Sequence, residues 1–494
     1  MITNQPRWGI ISGLGLRALL MSLVMATITT GCGSNAPASS ATSRIETATT
    51  STTPTARVEV EQQPVSGGPV LLRSGINVRK VTNVPGESIK LARNPVDGQV
   101  YMLNLKSGLY QVDLTTARLV KRAATNEIVG KATPAGMAFA PDGTLFIVAN
   151  QKVGTNETQA LIRKGQAGSN GDFAWVDFAS TAPYPKSNTY FDHLFNGIVV
   201  STDGKWVIVS SGSRTDHGEV QSNAGAFPET REVALTAKIF RLPAREQDLT
   251  LPNDEAALRA TGMIFAEGTR NAYDLEFAPN GDLFAVDNGP DADYPDELNW
   301  IRPGQHYGFP WRFGEHDNPQ QFADYDSTND KRLSSDFAAV QAKTYHNDPS
   351  FPKPPAAFVS PVANLGPAAA LYIDDAGKEQ NAAAEGKPLY SFTPHRSPLG
   401  LMFPAHSKMP ADLQSTADGL SAFILSWGAA GGSLSDQGRD LLHLQLRKQG
   451  NNYESVTTVM TRQFKNPIDA VMIENRLYVL EYGDGTAIWE LTFE

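Results

Sequence analysis

The sequence predicts an all-β fold, a six-bladed β-propeller, and two observations lead to this prediction. The first is a pattern that returns six times in the 494-residue chain: apolar alternation, a turn led by Asp or Asn, and a second apolar strand. The turn residues are Asp97, Asp142, Asp203, Asn280, Asp418 and Asn475. The second is the Asp-Gly or Asn-Gly dipeptide at most of these turns, which supplies the positive φ angle of a tight hairpin. Repeated hairpins indicate a propeller in which each copy forms the inner strands of one blade.

The number of blades depends on the longest gap between copies. Asn280 and Asp418 are 138 residues apart, which leaves room for another blade, so the pattern favours six blades but does not exclude seven. A β-sandwich is the structural alternative, although a sandwich does not require the same hairpin six times. If the chain forms a ring, its last strand, at residues 488–491, should pair with the start of the folded domain.

Charge and composition narrow the class of partner. The formal net charge is −10, and the chain has no run of basic residues. Binding to nucleic acid requires clustered Lys and Arg to neutralise phosphates, so we expect no nucleic-acid partner. Sugars or other small molecules are better suited to this surface.

Residues 1–31 have the features of a lipoprotein-type signal peptide. Arg7 and Arg17 precede an apolar stretch at residues 18–28 that is too short to span a bilayer as a mature helix. Cys32, the only cysteine of the chain, directly follows Gly31, as in a bacterial lipobox, where the thiol is diacylated. The alternative is a cysteine incidental to a plain signal peptide. In either case a single cysteine cannot form an intramolecular disulfide, so stability must come from the core.

Residues 32–67 are predicted to be a flexible tether, and residues 68–494 the propeller domain. In the segment 34–56, 19 of 23 residues are Ser, Thr, Ala or Pro, a composition that cannot bury enough apolar surface to fold. We therefore expect an exported bacterial lipoprotein, held by a lipid anchor at the periplasmic side of an outer membrane or at the cell surface. A Cys32→Ser variant that still partitions with membranes would contradict this expectation.

The segment 270–312 contains the densest group of candidate site residues. It holds a half-buried strand, a turn at Asn280, a second strand and then an acidic loop. The carboxylates of this loop are Asp287, Asp291, Asp293, Asp296 and Glu297. Calcium takes six to eight hard oxygen ligands, so the loop is a candidate metal site. The alternative is a solvated acidic turn.

The order of motifs in this segment resembles the glucose/sorbosone dehydrogenase family, soluble quinoprotein sugar dehydrogenases that use pyrroloquinoline quinone (PQQ) and calcium. The resemblance rests on Arg270-Asn271, a turn and strand, Gly289-Pro290, a later Asp-Glu and Asn, and the sequence YGFP. It implies six blades with a large insertion, and it places Arg270 and Asn271 against the quinone. It also implies calcium bound by the carbonyl oxygens of Gly289 and Pro290, for which Asp291 and Asp296 are further candidate ligands.

The resemblance also implies a catalytic base. His193 lies ten residues before Asp203, and the family has a histidine at this spacing that removes the proton of the sugar's anomeric hydroxyl. The alternative is a histidine packed against the sheet. Where the family usually has Gly-Asp, with the aspartate orienting the histidine, this chain has Gly212-Ser213, and Asp216 is nearby. Arg396 is a candidate cation for the carboxylates of the quinone.

Together these features imply PQQ- and calcium-dependent oxidation of an aldose or related sugar at C1 to its lactone. His193 and Arg270 would be the catalytic residues: hydride would pass to the quinone, His193 would remove the hydroxyl proton, and Arg270 would stabilise the reduced cofactor. A quinone or cytochrome would then accept the electrons. Two alternatives stay open, because fold does not fix function. One is a non-catalytic carbohydrate- or protein-binding propeller on a lipid anchor, and the other is a calcium-dependent lactonase.

Overall fold

The chain forms six antiparallel β-sheets arranged as the blades of a propeller, as the repeated hairpins predicted. A computed structural model describes residues 67–404, 408–428 and 431–494. The strands of blade 1 are Ser88–Arg93, Val100–Asn104, Gly108–Asp113 and Arg118–Ala123. The strands of blade 2 are Thr133–Phe139, Leu145–Val153, Glu157–Ala167 and Phe173–Thr181. Those of blades 3 and 4 are Phe195–Val200, Trp206–Ser211, Lys238–Pro243 and Ile264–Glu267, then Ala272–Phe277, Leu283–Asp287 and Glu297–Ile301. Those of blades 5 and 6 are Pro398–Met402, Leu420–Ser426, Asp440–Gln449 and Asn452–Arg462, then Pro467–Ile473, Arg476–Glu481, Ala487–Phe493 and Ile76–Asn83.

Blade 6 closes the ring with strands from both ends of the domain. Its outermost strand, Ile76–Asn83, pairs antiparallel with Ala487–Phe493, so that Val78 lies opposite Leu491. This pairing confirms the predicted contact between the last strand and the start of the domain. Blade 6 therefore ties the two ends of the domain together. The start of the domain also contacts blade 5, because the two-residue strand Val70–Leu71 pairs with Asn452–Arg462.

Four of the hairpin turns show why Asp or Asn leads them, whereas the turn of blade 6 begins with Glu474 and has Asn475 second. In four blades the side-chain oxygen of the leading residue accepts a hydrogen bond from the backbone N–H two residues later. These bonds are Asp97 to Gln99, Asp142 to Thr144, Asp203 to Lys205 and Asn280 to Asp282, at 2.9 to 3.1 Å. The intervening glycine has φ between 68° and 87° in each case, a conformation that other residues adopt only with strain.

The fifth repeat departs from the predicted hairpin. Pro398–Met402 and Leu420–Ser426 pair as expected, but a long connection containing the 3₁₀ helix Ala411–Leu413 joins them, and Asp418 lies at its end. The Asp-Gly dipeptide therefore starts the second strand here instead of forming a tight turn. The remaining gap is filled by an insertion at residues 302–397, so the propeller has six blades and not seven.

The insertion contains little regular structure of its own. It holds the paired strands Arg312–Phe313 and His316–Asp317, the pair Leu371–Ile373 and Glu379–Asn381, the strand Ala363–Pro367 on the edge of blade 5, the 3₁₀ helix Pro319–Gln321 and the α-helix Ala338–Gln341. Elsewhere, short helices at Thr125–Val129 and Glu255–Ala260 and short strands at Tyr184–Pro185 and Leu249–Leu251 complete the fold.

All six inner strands carry one extra residue close to the point where they begin. The pairing register with the second strand shifts between Ser88 and Lys90, Pro134 and Gly136, Phe195 and Ile198, Ala272 and Asp274, Pro398 and Gly400, and Pro467 and Asp469. Such a bulge bends a strand and redirects its side chains. Because it recurs at the same place in every blade, it shapes one end of the central channel.

A buried ion network crosses the channel just beyond these bulges. The Lys90 ammonium of blade 1 lies 3.0 Å from an oxygen of Asp274 in blade 4 and 3.5 Å from one of Asp469 in blade 6. The second carboxylate oxygens accept hydrogen bonds from the backbone N–H groups of Leu401 and Leu91, respectively. Burial alone would lower the pKa of Lys90, but the two carboxylates raise it above its usual range, so the ammonium stays charged.

In the part of the chain that the structure describes, no helix is long and apolar enough to cross a membrane. The predicted signal peptide, the lipidation site Cys32 and nearly all of the predicted tether lie outside the described residues.

We expect Lys90→Met to lower the free energy of unfolding by about 3–5 kcal/mol, because it leaves two buried carboxylates without their cation. Denaturant unfolding monitored by fluorescence measures this change. The matched control is Lys121→Met, which removes an exposed lysine of blade 1 and should change stability by less than about 0.5 kcal/mol. Equal effects of the two substitutions would show that the network does not hold the blades together.

Candidate functional site

A cavity opens at the end of the channel where the inner strands begin. Its walls come from five blades, and four of the extra residues just described line it, namely Ile89, Ala135, Tyr273 and Ile468. His193, Asn150 and Asn196 add polar groups to the same wall. A largely apolar cavity with a few polar groups on a rigid β scaffold is the usual form of a small-molecule site.

His193 precedes the inner strand of blade 3 and is almost fully buried. Its ring nitrogen Nδ1 lies 3.1 Å from the hydroxyl oxygen of Ser213. Burial and the nearby Arg270 guanidinium lower the pKa of His193 to about 3, although Asp216 and the backbone groups of Ser213 and Phe191 act in the opposite direction. The ring is therefore neutral at pH 7 and able to accept a proton.

Gly212 and Ser213 bring His193 and Arg270 together from different hairpins. The backbone N–H of His193 donates to the carbonyl oxygen of Ser213 at 3.0 Å, and the N–H of Ser213 donates to the carbonyl oxygen of Arg270 at 2.7 Å. A β-carbon on residue 212 would lie only 2.3 Å from the β-carbon of His193, so glycine is required there. The two predicted catalytic residues are thus neighbours.

Arg270 is held by Asp216. One terminal nitrogen of its guanidinium donates to the Asp216 carboxylate at 2.7 Å, and Nε donates to the Asp216 backbone carbonyl at 2.7 Å. The other terminal nitrogen donates to the carbonyl oxygen of Asn288 at 3.2 Å. Burial alone would raise the pKa of Asp216, but Arg270 and His217 hold it well below its usual range. Asp216 therefore pairs with Arg270, and Ser213 supplies the hydrogen-bond partner of His193.

The insertion covers this ion pair. The Tyr345 hydroxyl donates to Asp216 at 3.2 Å, and the Tyr345 ring stacks on His217 with centroids 3.7 Å apart. Nδ1 of His217 lies 2.7 Å from the Asp216 carboxylate. Burial lowers the pKa of His217, but Glu219 and Asp216 outweigh this effect and raise it. Sequence reasoning missed Tyr345, because no motif connects residues so far apart in the chain.

A second cavity adjoins Arg270 and contains two buried carboxyl groups. Arg270, Asp287, Gly289, Glu297 and Arg312 are among the residues that line it. Asp287 accepts hydrogen bonds from the backbone N–H groups of Arg270 and Asn271, at 3.0 and 2.5 Å, and so fixes the start of this inner strand. Burial raises the pKa of Asp287 and, together with the charge of Asp287, that of Glu297. Two carboxyl groups this close together favour the neutral form of at least one of them, or a nearby cation.

The other predicted metal ligands are engaged in backbone hydrogen bonds. Asp296 accepts from the N–H groups of Gly289 and Ser397, both at 2.8 Å, and Asp291 accepts from that of Ala339 at 3.1 Å. The carbonyl oxygen of Pro290 accepts from the N–H of Ala292 at 2.7 Å. Among the described residues, no three Asp, Glu, His or Cys side chains converge as a metal centre. The structure thus places Asp291 and Asp296 near Gly289 but does not assemble them around one point.

Asn271 and Arg396 are both buried. The side-chain oxygen of Asn271 accepts from the Asn196 amide at 2.8 Å, which ties blade 4 to the wall that holds His193. The Arg396 guanidinium bonds to Asp436 and, at 2.5 and 2.6 Å, to both oxygens of Asp440. With a relative exposure of 1%, Arg396 has its charge neutralised inside the protein and does not face either cavity.

Comparison with known proteins confirms the resemblance predicted from the sequence. The family model described as Glucose / Sorbosone dehydrogenase matches residues 138–341, which include His193, Ser213, Arg270 and the acidic loop. Quinoprotein glucose dehydrogenase B of Acinetobacter calcoaceticus is 26% identical over 259 residues. This match covers 48% of the present chain and 51% of the Acinetobacter protein, so the chain spans about half the length of this relative.

Solved structures share the fold. The soluble aldose sugar dehydrogenase of Escherichia coli, in its apo form, matches with a TM-score of 0.53 and 14% identity, over 85% of this chain and all of the other. The holo PQQ domain of pyranose dehydrogenase from Coprinopsis cinerea matches with a TM-score of 0.52 and 12% identity, over 87% of this chain and 98% of the other. These similarities confirm the six-bladed propeller.

We expect Asp216→Asn to lower the free energy of unfolding at pH 7 by about 3–5 kcal/mol, because Arg270 loses its buried partner. The folded-state pKa of Asp216 is depressed, so its contribution is present above the ordinary aspartate pKa of about 3.9 and is lost as the pH falls below it. Denaturant titrations at pH 7 and pH 3 should therefore show a gap between parent and variant that narrows in acid.

Asp142→Asn is the control for this comparison. Asp142 is an exposed turn residue, and an asparagine there keeps the oxygen that accepts from Thr144. Its stability should follow that of the parent at both pH values. If the difference in the free energy of unfolding between the parent and Asp216→Asn is independent of pH, the ion pair is not the cause of that difference.

Proposed function

We propose that this protein is a PQQ-dependent sugar dehydrogenase that oxidises an aldose or related sugar at C1 to the lactone. The observation that carries the proposal is the placement of a neutral, buried His193 beside Arg270 at the mouth of the channel, joined through Ser213. The similarity to the glucose/sorbosone dehydrogenase family supports the same reaction class.

In this proposal the residues of the chain move one proton and bind one developing charge. His193 accepts the proton of the C1 hydroxyl as the C1 hydrogen leaves with its electron pair, so the sugar loses a proton and a hydride. When bound, PQQ supplies the carbonyl acceptor for that hydride. The Arg270 guanidinium has five N–H donors, and its three hydrogen bonds leave two for an oxygen that becomes negatively charged.

The described residues can bind the carbonyl groups of the quinone more readily than its carboxylates. Arg270 lines a cavity and retains donors, whereas both terminal nitrogens of Arg396 are already bonded to Asp436 and Asp440. The predicted role of Arg396 in binding the cofactor would require these ion pairs to open. Arg270 and Asn271 are therefore the residues of this chain that we assign to PQQ.

We also propose a calcium ion at the acidic cavity. The carbonyl oxygens of Gly289 and Pro290, with Asp291 and Asp296, are the ligands proposed from the sequence, and Asp287 and Glu297 line the same cavity as Gly289. Buried carboxyl groups with raised pKa values are stabilised by a cation, because the positive charge favours their ionised forms. A quinone or cytochrome is the proposed electron acceptor.

One observation favours a non-catalytic binding propeller as the second candidate. Arg270 and Arg396 are both paired with internal carboxylates, as expected of a domain that no longer binds an anionic cofactor. A calcium-dependent lactonase has no comparable support. Such propellers need several carboxylates and an Asn around a metal on the channel axis, and here the Lys90 ammonium lies within the ring of inner strands.

Titration of the purified protein with PQQ and calcium, followed by absorbance on addition of aldoses, tests the function. We expect His193→Ala to lower turnover about 10²- to 10⁴-fold while PQQ binding is retained, because a general base is lost. Arg270→Ala should weaken both PQQ binding and turnover. A calcium chelator added in the same assay should lower PQQ-dependent activity.

His346→Ala provides the control, since His346 is an exposed histidine of the insertion. This variant should leave PQQ binding and turnover unchanged. If the folded parent protein, saturated with calcium, shows no PQQ-dependent oxidation of any aldose, the enzymatic proposal fails. Sugar binding without turnover would then support the binding propeller.

A further inference from the structure

Ser213 occupies the position beside His193 at which the resemblance leads one to expect a carboxylate. A carboxylate can only accept hydrogen bonds, whereas a serine hydroxyl donates one and accepts others. The direction of the bond between Ser213 and His193 therefore has to be derived from the other contacts of the hydroxyl.

The second contact of Ser213 fixes that direction. Its hydroxyl lies 2.7 Å from the carbonyl oxygen of Thr215, which can only accept, so the single hydroxyl hydrogen points to Thr215. The lone pairs of Ser213 then face Nδ1 of His193, 3.1 Å away. Nδ1 must supply the hydrogen for this bond.

The Thr215 carbonyl is itself held in place. Glu232 accepts hydrogen bonds from the backbone N–H groups of Arg214 and Thr215, at 2.8 and 2.9 Å, and the Thr215 hydroxyl also donates to Glu232. Thr215 is fully buried, so its carbonyl oxygen would lose a hydrogen bond if Ser213 turned toward His193. The chain of bonds from Glu232 to His193 is therefore directed one way.

We propose that Ser213 is the positioning residue of His193, which it holds in the Nδ1–H tautomer so that Nε2 is the nitrogen that accepts the substrate proton. This inference rests on the proposed function for the identity of that proton. Ser213 does so without a charge, and the charged groups near the ring are Arg270 and Asp216, which are paired with each other. His193 is thereby oriented as a carboxylate would orient it, but without the negative charge that favours its protonated form.

The tautomer is measured by ¹⁵N NMR of the full-length protein labelled at histidine, without PQQ or sugar. Loss of signals in His193→Ala assigns the ring. We expect a protonated Nδ1 and an unprotonated Nε2 in the parent and in Ser213→Thr, which keeps the hydroxyl. In Ser213→Ala, the ¹⁵N chemical shifts of Nδ1 and Nε2 of His193 should move toward each other, because both tautomers are then populated.

Ser211→Ala is the matched control. The Ser211 hydroxyl is also buried and donates to a carbonyl oxygen, that of Leu235 at 2.6 Å, but it does not contact His193. It should leave the His193 signals unchanged. In the PQQ assay, Ser213→Ala should lower kcat about tenfold, the rate equivalent of one neutral hydrogen bond, with KM changed less than about twofold.

The NMR result is independent of turnover. A hydrogen on Nε2 of His193 in the parent protein overturns the proposal even if Ser213→Ala does not fold, and so does an unchanged tautomer in a folded Ser213→Ala. A parent that shows the Nδ1–H tautomer but no sugar oxidation overturns the proposed function and leaves the positioning by Ser213 standing.

Discussion

The site depends on one repeated constraint: each inner strand accommodates an extra residue just after it begins. Six strands converging on one axis leave little room, and a bulge turns the side chain of the extra residue toward the mouth of the channel. Ile89, Ala135, Tyr273 and Ile468 form the wall of the cavity in this way, and the residues that follow three of them are Lys90, Asp274 and Asp469. The cavity and the ion network that lies across the channel are therefore consequences of the same irregularity.

Three buried cations near the channel are paired with internal carboxylates. Lys90 pairs with Asp274 and Asp469, Arg270 with Asp216, and Arg396 with Asp440. Removing charges from water costs several kcal/mol for each ion, and good pairing recovers much of this cost. These four ion pairs connect residues that are 44 to 379 positions apart in the sequence, so electrostatics contributes to specific assembly of the ring. The same pairing limits the donors that Arg270 and Arg396 can offer to an anionic ligand.

The fold could be predicted from the sequence because its signal is local. Hairpin turns such as Asp142-Gly143 and Asn280-Gly281 are recognisable within a few residues, and their number favours six blades. The contacts of the site could be predicted only in part. His193 and Arg270 were each singled out by a motif, and the structure brings the two together through Ser213. The contacts made by Asp216, Tyr345 and Asp440 could not be predicted, because a buried ion pair leaves no spacing pattern when its members come from separate loops. Ser213 was visible in the sequence as a departure from the expected Gly-Asp, but its role depends on the position of the Thr215 carbonyl.

The two strands nearest the start of the described chain give the domain a defined mechanical response. A pull applied at Gly67 would first load Val70–Leu71, which is held by a two-residue ladder on the outside of blade 5. Only after that ladder parted would the load reach Ile76–Asn83, whose longer ladder closes the ring. Under tension the short strand would separate from blade 5 first, and the ring would stay closed until the longer ladder also separated.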